Sequence, residues 1–204
     1  MKHIKRFRLF TLLLFFSFFS KPGLSFSEED VSRSEDVTTP YWPHKIFSWQ
    51  YSSYNEPSWL DPDEGVSLFK KAAEAWSQCG IKIEYKGSTD HPGFFKDRLN
   101  TMGWSILKPA MRGLTLRQTI KDTSKLTEAD IIINRENIYI QNNKELLQKV
   151  ISHEFGHALG LVHSITCENI MSSAAQCGNK IPATLPSKPT EDDLAQCMER
   201  YGVK

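Results

Sequence analysis

His153-Glu154-Phe155-Gly156-His157-Ala158-Leu159-Gly160-Leu161-Val162-His163-Ser164 reads HExxHxxGxxH without interruption, and the rest of the chain is organised around it. Histidines four apart on a helix share one face, so His153 and His157 can present their imidazoles to a single ion. Glu154 sits beside them without being needed as a ligand; in this pattern it holds a water and accepts its proton as general base. Gly160 serves the backbone. The chain must leave the helix sharply to bring round a third ligand, and glycine accepts the left-handed conformation of such a helix end. His163 supplies that third nitrogen, which leaves a fourth tetrahedral position open, the mark of a catalytic rather than a structural zinc. Five specified positions would recur by accident in about two of 100,000 chains of this composition, so merely packed or exposed histidines explain the pattern poorly.

The extended motif resembles that of the metzincin metalloproteases, and Ser164 directly after the third histidine is similar to the matrixin branch. Metzincins carry a methionine in a turn beneath the zinc, and Asn169-Ile170-Met171-Ser172 follows at a suitable distance, so Met171 is the expected Met-turn residue. Alone, a methionine would fill a gap in any core. Ser173 stands where astacin-like and serralysin-like relatives have a tyrosine, which favours the matrixin side.

The resemblance implies an α+β domain: a twisted mixed β-sheet with an N-terminal helix, an active-site helix and a C-terminal helix. It also implies a secreted zinc endopeptidase acting on protein or peptide substrates. One catalytic Zn2+ would be held by His153, His157 and His163, lowering the pKa of a bound water to roughly 7, with Glu154 as general base that later protonates the leaving nitrogen. Matrixins commonly hold a second zinc and calcium through a His-x-Asp motif and glycine-rich acidic turns, and those motifs are missing. His91 beside Asp90 reads as a surface-loop histidine, so no structural zinc is expected and calcium is left open.

The chain of 204 residues, 40% hydrophobic and 11% aromatic, suffices for one domain with a real core, and a monomer is expected. Its first 25 residues differ from the rest. Lys2, Lys5, Arg6 and Arg8 precede an apolar run from Leu9 to Phe19, and Gly23 and Ser25 stand at −3 and −1 of a cleavage point, the pattern of a signal peptide over residues 1–25. The run is too short to be a stable membrane anchor, which needs about 20 apolar residues. Secretion or delivery to a periplasm follows. Removing that segment leaves 20 basic against 24 acidic side chains, with no electrostatic footprint for nucleic acid. Residues 26–40, with Glu28, Glu29, Asp30, Glu35 and Asp36, read as a disordered acidic leader that lacks the length and the cysteine of a matrixin prodomain. The catalytic domain is expected over 41–204.

Within that domain Phe47, Trp49 and Tyr51 alternate with polar residues as a first strand. Asp61-Pro62-Asp63-Glu64 starts a helix whose apolar stripe is Val66, Phe69, Ala73 and Trp76 and which Gly80 ends. Ile81, Ile83 and Tyr85 alternate as a second strand. Lys86 to Asn100 reads as loop, followed by short strands at Met102–Leu107 and Thr115–Ile120 and a buried strand at Ala129–Ile133. Ile138–Gln141 reads as one more strand. Asn142 and Glu145 have the spacing of a capping box for the active-site helix, which carries Leu146, Leu147, Val150 and Ile151 inward. Gly178 to Lys188 reads as a loop that could wall the pocket for the side chain after the scissile bond. Thr190-Glu191-Asp192-Asp193 caps a last helix through Leu194, Cys197 and Met198 to Tyr201.

Four cysteines in an exported chain suggest two disulfides with three pairings; none lies in a CxxC pair, which argues against a cysteine zinc site. Cys167 and Cys177 flank the Met turn, so the favoured pairing joins them and ties Cys79 on the first helix to Cys197 on the last. Two rival readings use the same ligands: an exported binding domain on a metzincin scaffold with vestigial protease activity, and a zinc hydrolase acting on something other than peptides.

Overall fold

The computed structural model describes residues 39–94, 96–173, 177 and 186–202. The chain divides into two units, Met1–Asp36 and Val37–Lys204, and the first lies outside the described residues. So do the expected signal peptide, nearly all of the acidic leader and residues 178–185 of the expected pocket-wall loop.

The second unit is a mixed sheet carrying helices, an α+β fold. Strand β1 (Ile46–Ser52) buries Phe47, Trp49 and Tyr51 on one face, as period-two alternation requires. It pairs in parallel with β2 (Lys82–Thr89) on one side and β3 (Thr101–Ser105) on the other. β5 (Leu126–Asn134) continues the parallel set beside β3, and β4 (Gly113–Thr119) runs antiparallel to β5. The strand order is β2-β1-β3-β5-β4, which leaves β4 as an edge. β3 and β5 lie inside the sheet and are buried almost throughout, which explains why Ala129–Ile133 shows no alternation.

Helix α1 (Pro62–Ala75) starts where Asp61 accepts from the Asp63 N–H at 3.0 Å, with Pro62 at the first position. A single 3-10 turn, Ser77–Cys79, follows and ends at Gly80 with φ +78°. Its buried stripe is Leu68, Phe69, Ala72 and Trp76; Val66 and Ala73, expected in the stripe, are only half-buried. Helix α3 (Lys144–Ala158) packs against α1 and the sheet. Phe155 stands edge-on to Phe47 and Trp49 with centroids 6.1 and 5.8 Å away, and Trp76 Nε1 donates to the Ser152 carbonyl at 2.9 Å. These contacts fix the helix that carries the motif, because edge-to-face rings and a buried indole bond each define an orientation.

Local expectations fail at three places. Ile138–Gln141 is a short helix, α2, not a strand: the Asn137 side chain accepts from the Tyr139 N–H, and only Ile140 is buried while Ile138 and Tyr139 face out. Asn143 caps α3 through the Leu146 N–H at 2.9 Å, whereas Asn142 donates back to the Ile138 carbonyl and Glu145 pairs with Lys149. β2 extends to Thr89, four residues into the expected loop, because Ser88 and Thr89 pair with Tyr51 and Ser52 beyond a bulge. Helix α4 (Glu191–Tyr201) has the capping box of Thr190 and Asp193, buries Cys197 and Tyr201, and leaves Met198 exposed. Disulfides join Cys79 to Cys197 and Cys167 to Cys177.

Candidate metal centre

His153, Glu154 and His157 lie on α3, whose end is a Schellman turn. The Leu161 N–H bonds the Gly156 carbonyl at 3.0 Å, the Gly160 N–H bonds the His157 carbonyl at 2.9 Å, and Gly160 takes φ +91°. A side chain at Gly160 would meet the Pro40 carbonyl at 2.1 Å, so glycine is required by conformation and by space. The turn sends the chain back so that His163 reaches the two helical histidines. Among the described residues, His153, His157 and His163 are the group whose ligand atoms lie close enough together to hold a metal, all within 4.8 Å of one another.

The hydrogen bonds define what these rings present. His153 Nδ1 faces the Ile170 carbonyl at 2.7 Å and His157 Nδ1 faces the Leu161 carbonyl at 2.9 Å. A carbonyl only accepts, so each Nδ1 carries the proton and each Nε2 keeps a lone pair. His157 Nε2 lies 3.1 Å from both His153 Nε2 and His163 Nε2. Two lone pairs at that distance repel unless a cation lies between them. Nitrogens around a tetrahedral zinc, with bonds of about 2.05 Å, stand about 3.3 Å apart, so the donor set and spacing fit that ion. Burial lowers the pKa of His153, and burial followed by the neighbouring His153 and His163 takes His157 well below the usual imidazole value.

Glu154 is buried and faces β4. Its Oε2 accepts from Thr115 Oγ1 at 2.7 Å, and Gly113 lies against its other oxygen. Burial pushes its carboxyl up to about 7, while the Thr115 hydroxyl and then the Arg117 guanidinium pull it back. Met171 is fully buried with its sulfur against Gly156, where a Cβ would come within 2.3 Å of it. The Met171 carbonyl accepts from the Ser164 N–H at 2.8 Å, and Ser164 Oγ accepts from Thr166 N and Asn169 Nδ2, so the segments on either side of this loop are tied together. Asp193 then locks the base of the site, accepting from the N–H groups of Ile170 at 3.0 Å and Met171 at 3.4 Å. His91 is exposed and its Nδ1 accepts from the Gly93 N–H. Thr115, Gly113, Arg117 and the second role of Asp193 were not legible in sequence. The alternation in β4 hinted only that Gly113, Thr115 and Arg117 share a face.

The family model described as Matrixin matches residues 41–202, and the chain belongs to the matrixin family. No curated protein matches. Among solved structures, one described as "GM1 bound form of the ECX AB5 holotoxin" is similar with a TM-score of 0.50 and 15% identity, covering 77% of this chain and 80% of that one. At that identity the likeness is one of fold alone.

Proposed function

We propose that this chain is an exported zinc endopeptidase. The observation that carries the reading is the convergence of three imidazole nitrogens, two of them kept deprotonated at Nε2 by backbone carbonyls, beside a buried carboxylate. His153, His157 and His163 would hold the ion; when bound, zinc supplies Lewis-acid charge that polarises a carbonyl and lowers the pKa of water to roughly 7. Glu154 takes the proton of the attacking water and delivers it to the leaving nitrogen. The substrate backbone lies extended along the edge strand β4, and side-chain preference comes from neighbouring pockets.

Membership of the matrixin family supports the reaction class, and two disulfides are compatible with export. Among the described residues no helix is long and apolar enough to cross a membrane. The test is cleavage of a mixed peptide library by the mature protein, with and without a chelator, alongside Glu154→Gln. The proposal expects cleavage that a chelator abolishes and a variant that keeps zinc but loses at least about 100-fold in kcat. Zinc-loaded protein that cleaves no peptide would instead favour the vestigial binding domain or a hydrolase for another substrate.

A further inference from the structure

The general base of this site is oriented from outside the motif. Glu154 could turn its carboxylate in several directions, and two features of β4 select one. Thr115 Oγ1 lies 2.7 Å from Glu154 Oε2 and 3.0 Å from the Glu154 carbonyl, so its single proton meets the carboxylate at the shorter distance. Gly113, two residues earlier and on the same face of the strand, leaves a space that the carboxylate occupies. A Cβ built there would fall 2.7 Å from Oε1, 2.8 Å from Cγ and 3.0 Å from Cδ. No φ constraint calls for glycine at 113, so the missing side chain matters for room rather than for backbone freedom.

We propose that Thr115 and Gly113 are positioning residues that together fix the rotamer of Glu154: the hydroxyl anchors one carboxylate oxygen and the absent Cβ gives the other its seat. This rests on the proposed role of Glu154. On this assignment the hydroxyl occupies Oε2 and leaves Oε1 as the oxygen without a hydroxyl donor, the one available to accept a proton. Because β4 is also the edge strand along which a substrate would lie, the strand that aligns the peptide and the strand that aligns the base are one element.

The test compares Thr115→Val, Thr115→Ser and Gly113→Ala in the mature zinc-loaded protein, measuring kcat and KM on a peptide found with wild type, and zinc stoichiometry and affinity. Valine matches threonine in shape, so it removes the hydroxyl with little change in packing. The expected result is a kcat loss of about 10- to 100-fold for Thr115→Val with KM changed less than about threefold, and recovery to within about threefold of wild type for Thr115→Ser. Gly113→Ala should lose kcat similarly while still binding one zinc. In the Glu154→Gln background, Thr115→Val should cost no further activity, because the hydroxyl acts through the carboxylate. Thr115→Val with unimpaired kcat, or Thr115→Ser as defective as Thr115→Val, would overturn the assignment. Loss of zinc in step with loss of activity would also overturn it, because the effect would then be on the ligands. A wild-type protein that holds zinc and cleaves nothing removes the proposed function itself, a failure visible before any variant is made, and the positioning role falls with it.

Discussion

Asp193→Ala probes the support beneath the histidines without touching any of them. The Asp193 carboxylate is fully buried and accepts from Ile170 N at 3.0 Å, Met171 N at 3.4 Å, Thr190 N at 2.8 Å and Thr190 Oγ1 at 2.7 Å. Thr190, at the start of α4, can exchange its lost partner for water, so its two bonds are discounted. The Ile170 and Met171 amides cannot, and a hydrogen bond to a charged group contributes about 1.5–3 kcal/mol, so the variant should lose about 3–5 kcal/mol. In a domain of this size that lowers Tm by about 10 °C. The Ile170 carbonyl carries the effect to the proposed metal site: Ile170 O holds His153 Nδ1 at 2.7 Å, and a loosened Ile170 lets the ring swing. Disturbing a partner that orients a ligand typically costs 10- to 100-fold in metal affinity, about 1.4–2.7 kcal/mol. Calorimetric unfolding of the apo protein and competition titration with zinc read the two effects separately. A Tm within about 2 °C of wild type, or an unchanged zinc affinity, would refute the argument that Asp193 sets the position of His153.

Asp130 gives the pH dependence. Burial, opposed by the Thr101 N–H and aided by Glu128 and then Asp97, pushes its carboxyl up to about 8. A folded pKa above the unfolded value of about 3.9 means that the fold favours the protonated form, so stability from this group is present at low pH and lost as pH rises from about 4 to about 8. Asp130→Asn keeps the acceptor for Thr101 and removes the charge; its Tm advantage over wild type should grow across that window, and a constant difference would contradict the assignment. Gly160→Ala must place a side chain at φ +91° and 2.1 Å from the Pro40 carbonyl, so both stability and zinc affinity should fall, the first by more than the about 1–2 kcal/mol of a left-handed residue alone. An unchanged melting curve would show that the turn is slack. Replacing both Cys79 and Cys197 by serine opens a link across 118 residues, for which chain entropy gives about 4–5 kcal/mol; urea unfolding should shift by that order, and a loss below about 1 kcal/mol would mean that α4 stays docked without it.

What the sequence reveals and what it hides divide along chain distance. His153, Glu154, His157, Gly160 and His163 lie within one helix and one turn, where the 3.6-residue period and the conformational freedom of glycine suffice to bring the ligands together. β1 was legible because Phe47, Trp49 and Tyr51 alternate, and α4 because Thr190 and Asp193 have capping-box spacing. Glu154 and Thr115, by contrast, meet across 39 residues of chain, and nothing local in Gly113-Leu114-Thr115 announces a partner on α3. Asp193 was readable as a cap, but its second task at Ile170 and Met171 depends on how α4 docks. The segment Ile138–Gln141 reads as a strand because isoleucine and tyrosine favour strands, while the Asn137 cap and the burial of Ile140 alone decide for a helix. Asn142 has capping-box spacing with Glu145, yet the Leu146 N–H bonds to Asn143, a choice that depends on where the turn after Gln141 places the two side chains.

The most direct measurement is metal analysis of the purified mature protein together with X-ray absorption at the zinc edge. One zinc per chain, with three imidazole nitrogens at about 2.0–2.1 Å and a lighter oxygen donor completing the shell, is the predicted result, and His163→Ala should remove one nitrogen from that shell. Protein that takes up no zinc, or holds it through sulfur or through fewer than three imidazoles, would contradict the account.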